Sequence, residues 1–149
     1  MKIRAATAAP ARTVLAAACI CLAASGAARS QANAPNAPTA LYTDAQAQQG
    51  VDPYETGCGM CHGANMEGAQ GPTLLGDTFT SHYQTVGDLM QFMVKNMPKN
   101  DPGSLSHDDY VNILAFILLK NGWSAGPESL SFETASASKV LLSQAPRGQ

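Results

Sequence analysis

Short of cysteine, thin in charge and without a long apolar run, this sequence excludes several functions before any motif is read. It has four Cys and three His in 149 residues. Two of the Cys, Cys19 and Cys21, lie in an N-terminal apolar stretch, and beyond the cluster at residues 58–62 only His82 and His107 remain. A structural zinc site needs about four Cys or His ligands, usually in paired knuckles, and these residues do not supply them. Only nine residues are basic, against eleven acidic, so no basic stripe is available to neutralise phosphates. No apolar run reaches the ~20 residues that a membrane-spanning helix requires. No segment alternates like a strand, which removes the βαβ setting of a thioredoxin-like redox pair. No Ser/His/Asp set, paired-carboxylate cleft, phosphate loop, internal repeat or long charge run is present.

What is present is Cys58-Gly59-Met60-Cys61-His62. Two thiols three positions apart can add to the two vinyl groups along one edge of a haem, and the imidazole after the second Cys supplies an axial ligand to its iron. The pattern points to covalent haem c. The rival readings are a zinc site, a dithiol redox pair, and a disulfide that happens to precede a His.

Lys2, Arg4 and Arg12 precede an Ala-rich apolar stretch from Val14 to Ala24 and then small residues, the layout of a cleaved secretion signal. The expected leader is 1–32, cut after Ala28 or after Ala32. A lipidated Cys19 is the weaker alternative, because its apolar core would be only about five residues long. Cleavage after Ala32 leaves about 117 residues, with five basic against eleven acidic residues and a net charge of −6. Cys58 and Cys61 are then the only thiols, so a covalent cofactor replaces disulfides as the staple. The expected location is the periplasm, with no nucleic acid partner and no stable membrane insertion; the net charge favours a docking partner with a basic or neutral patch.

Residues 33–43 read as a mobile, Pro-bearing lead-in. A helix is expected from an N-cap at Asp44 up to the haem motif, kinked or restarted at Pro53 with Asp52 as cap. Residues 63–76 are Gly-rich loop. Thr85 and Asp88 form a capping box for a second helix with Leu89, Phe92 and Met93 on its apolar side, ending before Pro98. Ser106 and Asp109 open the last strong helix, where Tyr110, Ile113, Leu114, Ile117 and Leu118 recur at helical spacing until Asn121-Gly122. The fold class is all-α, wrapped round a cofactor.

An iron held by one His needs a distal partner, and that partner separates electron transfer from ligand chemistry. The candidates are Met60, Met66, Met90, Met93, Met97, His82 and His107. Met60 and Met66 are too near His62 in sequence to cross the haem plane, and Met90 and Met93 sit where a helix needs core side chains. Met97 ends a helix, enters a Pro-stiffened loop at Pro98 and is remote from His62. It is the favoured ligand; its alternative role is packing beneath the haem.

With Met97-Pro98, Pro102-Gly103-Ser104-Leu105-Ser106 and Tyr110 through Leu118 to Asn121-Gly122, the chain resembles class I cytochrome c over roughly Gln46 to Gly126. Within that family it is similar to the small cytochromes and haem domains associated with quinoprotein (PQQ) dehydrogenases. The resemblance implies a class I cytochrome c fold over 44–126, with 127–149 a tail that packs back or is partly mobile. It implies that Pro72, in Gly71-Pro72-Thr73-Leu74-Leu75-Gly76, accepts a bond from His62 through its carbonyl, and that Tyr83 bonds a haem propionate. It further implies that Gly50 and Tyr54 cross the last helix, facing Tyr110 and Leu114. The function implied is one-electron carriage by a His62/Met97-ligated haem, without catalysis. The donor would be a PQQ-dependent, alcohol-type dehydrogenase, and the acceptor an oxidase or another cytochrome. The alternatives are a tightly bound haem subunit of a dehydrogenase and a haem sensor or enzyme with a labile distal ligand.

Overall fold

Thr43 opens the first helix by accepting the Gln46 N–H on its side-chain oxygen at 3.2 Å, one residue before the expected cap at Asp44. The coordinates are a computed structural model that describes residues 40–144. The leader, its cut sites at Ala28 and Ala32, Cys19, most of the 33–43 lead-in and residues 145–149 lie outside the described residues. The end of that lead-in belongs to the fold. Tyr42 is fully buried, its hydroxyl donates to Trp123 O, and its carbonyl accepts from Gly126 N–H at 2.8 Å.

Helix α1 (Asp44–Gln49) and helix α2 (Val51–Tyr54) follow one another across Gly50. The restart expected at Asp52 occurs at Gly50, so Pro53 falls in the first turn of α2, where its missing N–H has no helical partner to lose. Gly50 is required there. A Cβ at that position would lie 2.0 Å from Asn112 O and 2.9 Å from Phe116 Cβ, so the backbones of the first and sixth helices touch. The residues that meet this crossing are therefore Asn112 and Phe116, not Tyr110 and Leu114; Phe116 also packs edge-on against Tyr54, with ring centroids 5.5 Å apart.

A widened π turn (Glu55–Gly59) carries Cys58, and α3 (Met60–His62) carries Cys61 and His62. Such insertions of wider pitch recur at functional sites. After the 63–75 loop come α4 (Gly76–Thr80), α5 (Val86–Asn96) and α6 (His107–Lys120). The Thr85–Asp88 capping box is formed in both directions. At α6 the Asp109 carboxylate instead accepts from the Ser106 hydroxyl at 2.7 Å. Seven of the fourteen α6 residues are buried, which makes it the central element. Each such aliphatic side chain contributes ~1.5–3 kcal/mol on leaving water.

Helix α7 (Phe132–Ala137), capped by Ser131, packs against α5 and α6. Its approach is fixed by the buried Gln46 amide, which donates to Leu130 O at 2.7 Å and accepts from Leu130 N–H at 3.0 Å. Beyond it, Val86 N–H donates to Val140 O at 2.9 Å and Leu142 N–H to Gln84 O at 3.1 Å. This isolated bridge, Thr85 to Leu141, is the only extended pairing among the described residues, and the class is all-α as expected.

Candidate haem site

The helices enclose a cavity of about 680 Å³ whose lining includes Cys58, Cys61, His62, Met93, Met97 and Pro98. That volume falls within the ~300–1,000 Å³ of cofactor sites. Apolar walls come from α5 and α6 through Leu89, Phe92, Ile113 and Ile117.

His62 is buried and fixed in one tautomer. Its Nδ1 lies 2.8 Å from Pro72 O, and a proline carbonyl can only accept, so Nδ1 carries the proton and Nε2 keeps the lone pair that a metal needs. The loop behind it is tied back on the motif: Gly68 N–H donates to His62 O at 2.7 Å and Gly71 N–H to Cys61 O at 2.8 Å. Gly71 supports the ring from below, since a Cβ there would lie 2.9 Å from His62 Cε1. The same loop is fastened to the end of α6. Asn121 donates to Leu74 O at 2.9 Å and accepts from Gly76 N–H at 2.9 Å.

Cys58 and Cys61 are not joined in a disulfide, which leaves both thiols free for thioether formation. Burial, reinforced by the neighbouring Cys61, pushes the Cys58 thiol up to about 11, so it is a neutral thiol near pH 7. Among the described residues no group of three His, Cys, Asp or Glu is arranged to hold a metal ion. Two free thiols at this spacing, a histidine with a free Nε2 and an apolar cavity of cofactor size fit haem c.

Met97, which also lines the cavity, follows α5 as its C-cap in extended conformation, its N–H bonded to Met93 O at 2.9 Å. The Tyr110 hydroxyl donates to Met97 O and accepts from Gly103 N–H at 3.0 Å, clasping both ends of the 97–103 loop. Of the seven distal candidates, Met60, Met93, Met97 and His82 line the cavity; Met66, Met90 and His107 do not. Met60 stands between the two cysteines and is 79% exposed. His82 is at the exposed rim with Nδ1 2.6 Å from Thr78 O, and His107 stacks flat on Phe132 with centroids 3.6 Å apart. Tyr83 lines the cavity half-buried, between Phe79 and Phe92, with its phenol raised above the ordinary value by burial.

The sequence reading missed three residues that shape this site. Gly71 was legible only as part of a Gly-rich loop, Tyr110 had been assigned to another face, and Asn121 had been read as a helix end alone.

The family model "Cytochrome C oxidase, cbb3-type, subunit III" matches residues 45–117, a span from α1 to the C-terminal half of α6 that includes the residues lining the cavity. No curated protein and no solved structure matches the chain significantly. Domains of this kind work by haem-based electron transfer and are typically extracytoplasmic. No helix among the described residues is long and apolar enough to cross a membrane. The chain carries a class I c-type cytochrome domain, with haem c attached at Cys58-x-x-Cys61-His62.

Proposed function

We propose that the protein is a periplasmic one-electron carrier whose haem iron is held axially by His62 and Met97. The observation that supports this reading is that His62 and Met97 both line one cavity, with the His62 ring bonded to Pro72 O and the Met97 loop clasped by Tyr110. When bound, haem supplies a reversible one-electron couple at iron. The Pro72 carbonyl accepts from Nδ1–H of His62, which places the lone pair of the neutral ring on Nε2 and raises its donor strength. A thioether from Met97 favours the reduced state and, with the apolar walls, raises the potential. With both axial positions filled by side chains, no position is open for substrate, which suits carriage rather than catalysis. The donor we propose is a quinoprotein, alcohol-type dehydrogenase, and the acceptor a terminal oxidase or another cytochrome.

Purified protein from a host with cytochrome c maturation machinery tests this in two steps. Haem stain should travel with the denatured polypeptide, and the oxidised form should show a thioether–iron absorption band near neutral pH. Loss of that band with rapid CO binding by the reduced protein points to a labile distal site instead. Stopped-flow reduction by a quinoprotein dehydrogenase no faster than by an unrelated cytochrome-linked enzyme rejects the donor and leaves electron carriage standing.

A further inference from the structure

The first turn of α5 is completed by the chain's own tail. A helix leaves its first N–H groups without a partner inside the helix. In α5 the Asp88 N–H is taken up locally, by Thr85 Oγ1 at 3.1 Å. The other two donors of that turn go to the tail: Val86 N–H to Val140 O at 2.9 Å, and Gly87 N–H to Ser138 O at 3.2 Å. One turn on, the Gln91 side-chain amide donates to Ser136 O at 2.9 Å. Gly87 is what admits so close an approach, since a Cβ there would lie 2.5 Å from Ser138 O and 3.0 Å from Ser136 O. Just ahead of α5, Leu142 N–H donates to Gln84 O at 3.1 Å, and the Leu142 side chain is buried. The segments held in this way also build the haem cavity. Tyr83, next to Gln84, lines it, and α5 contributes Leu89, Phe92 and Met93 before it ends at Met97.

We infer that residues 138–142 are a strap that positions the distal ligand: by capping α5 from outside, they fix the helix whose far end presents Met97, and Gly87 is the positioning residue that lets them in. The inference rests on the His62/Met97 reading above and adds a point of control to it. The eleven residues of α5 carry the constraint over about 16 Å, from the strapped first turn to Met97. Tyr110 holds the loop beyond Met97, so the segment is fastened at both ends. Without the strap, two backbone donors lose their partners together and the helix frays from its start. Met97 then detaches more often, and the apparent affinity of an added distal ligand rises with the fraction of molecules in which it has done so.

Gly87→Ala in the full, haem-loaded chain separates the strap from the helix. Alanine favours a helix more than glycine does, so α5 gains intrinsic stability while the new Cβ expels the strap. Leu142→Asp releases the strap independently, by placing a carboxylate in a buried site. Limited proteolysis, with mass mapping of first cuts within 127–144, reads release of the tail. Imidazole titration of the ferric protein, well below its melting temperature, reads the distal position through loss of the thioether–iron band. One imidazole nitrogen–iron bond forms as the Met97 sulfur–iron bond breaks, and no electron is transferred. Both variants should be cut faster and should bind imidazole about tenfold more tightly. A tail that only adds stability would lower the melting temperature and leave that affinity alone. Imidazole affinity within about twofold of the unaltered protein, in a variant whose tail is cut faster, therefore overturns the inference. Tails cut no faster in both variants overturn it as well, because the strap would then not depend on the contacts that define it. An unaltered protein lacking the thioether–iron band overturns the axial reading instead, and proteolysis still shows whether Gly87 admits the strap.

Discussion

Removing a single hydroxyl, by Tyr110→Phe, isolates what holds the Met97 loop. Tyr110 is 1% exposed, so water does not replace its bonds. The change deletes the bond donated to Met97 O and the one accepted from Gly103 N–H at 3.0 Å, leaving between those groups only the 3.5 Å contact from Gly103 N–H to Met97 O. At ~1 kcal/mol net for each bond, the loss is ~2 kcal/mol. The ring remains to fill its place, so no cavity cost is added. Two kcal/mol multiplies the population of an opened loop by about thirty. A loop that opens rarely stays mostly closed under that factor, so the thioether–iron band should persist at room temperature and melt at a lower one. Global stability should fall together with it, at an unchanged denaturant slope. Denaturant titration of the loaded protein and a thermal scan of the band measure the two quantities independently. Stability within about 0.5 kcal/mol of wild type, with the band melting at its original temperature, would refute the clasp.

Met97→Ala should abolish the band, lower the potential and admit exogenous ligands. Met90→Leu and Met93→Leu should keep the band and cost less than ~1.5 kcal/mol, so loss of the band in either alone contradicts the ligand assignment. Gln46→Ala removes two bonds to Leu130 inside the fold, and should cost ~2 kcal/mol and speed proteolysis within 127–144, which mass mapping of the first cuts detects. Burial, then Asp44, pushes Tyr42 up to about 12, and burial, then Cys58 and Glu67, pushes Tyr54 up to about 12, both above the ordinary value near 10. A phenol raised in the folded state contributes stability that is fully present below pH ~10 and lost as pH rises through ~12, so the denaturant midpoint should fall across that window, with these tyrosinates forming last in an absorbance titration.

What the sequence made legible depended on local chemistry. The Cys58-to-His62 motif, the Thr85–Asp88 box and the periodicity of α6 are each fixed by residues within a few positions, and each element stands where that chemistry puts it. The first cap missed by one residue because Thr43 and Asp44 are both good caps, and only tertiary context decides between them. Faces were harder. A helix buried on most sides has no polar stripe to orient it, so Tyr110 and Leu114 were assigned to the Gly50 crossing that Asn112 and Phe116 make. Phe92 was placed in the apolar side of α5, yet it is 37% exposed at the cavity's lip. An apolar periodicity cannot separate the wall of a core from the wall of a cofactor cavity. The tail was least legible, because much of what holds it is backbone hydrogen bonds from 138–142 to 84–87, which leave no side-chain signature.

Two loops that line the site are fastened to one reference element. Tyr110, in the first turn of α6, holds the loop that carries Met97, and Asn121, its C-cap, holds the loop that carries Pro72 and through it His62. Eleven residues at ~1.5 Å each separate these two fastenings by about 16 Å. The spacing of these two fastenings is therefore set by helix geometry rather than by the meeting of two flexible loops. It also sets what α6 can tolerate. A side-chain exchange on α6 changes packing locally, whereas an inserted residue between 110 and 121 lengthens the separation by ~1.5 Å and rotates one fastening about 100° away from its loop. Gly50 adds a second constraint on the same helix, because its backbone contact with Asn112 locks α6 against the segment leading to the two cysteines. Both candidate axial residues and both attachment residues are thus positioned against a single rigid helix, the arrangement that keeps a site's geometry constant while its charge changes by one electron.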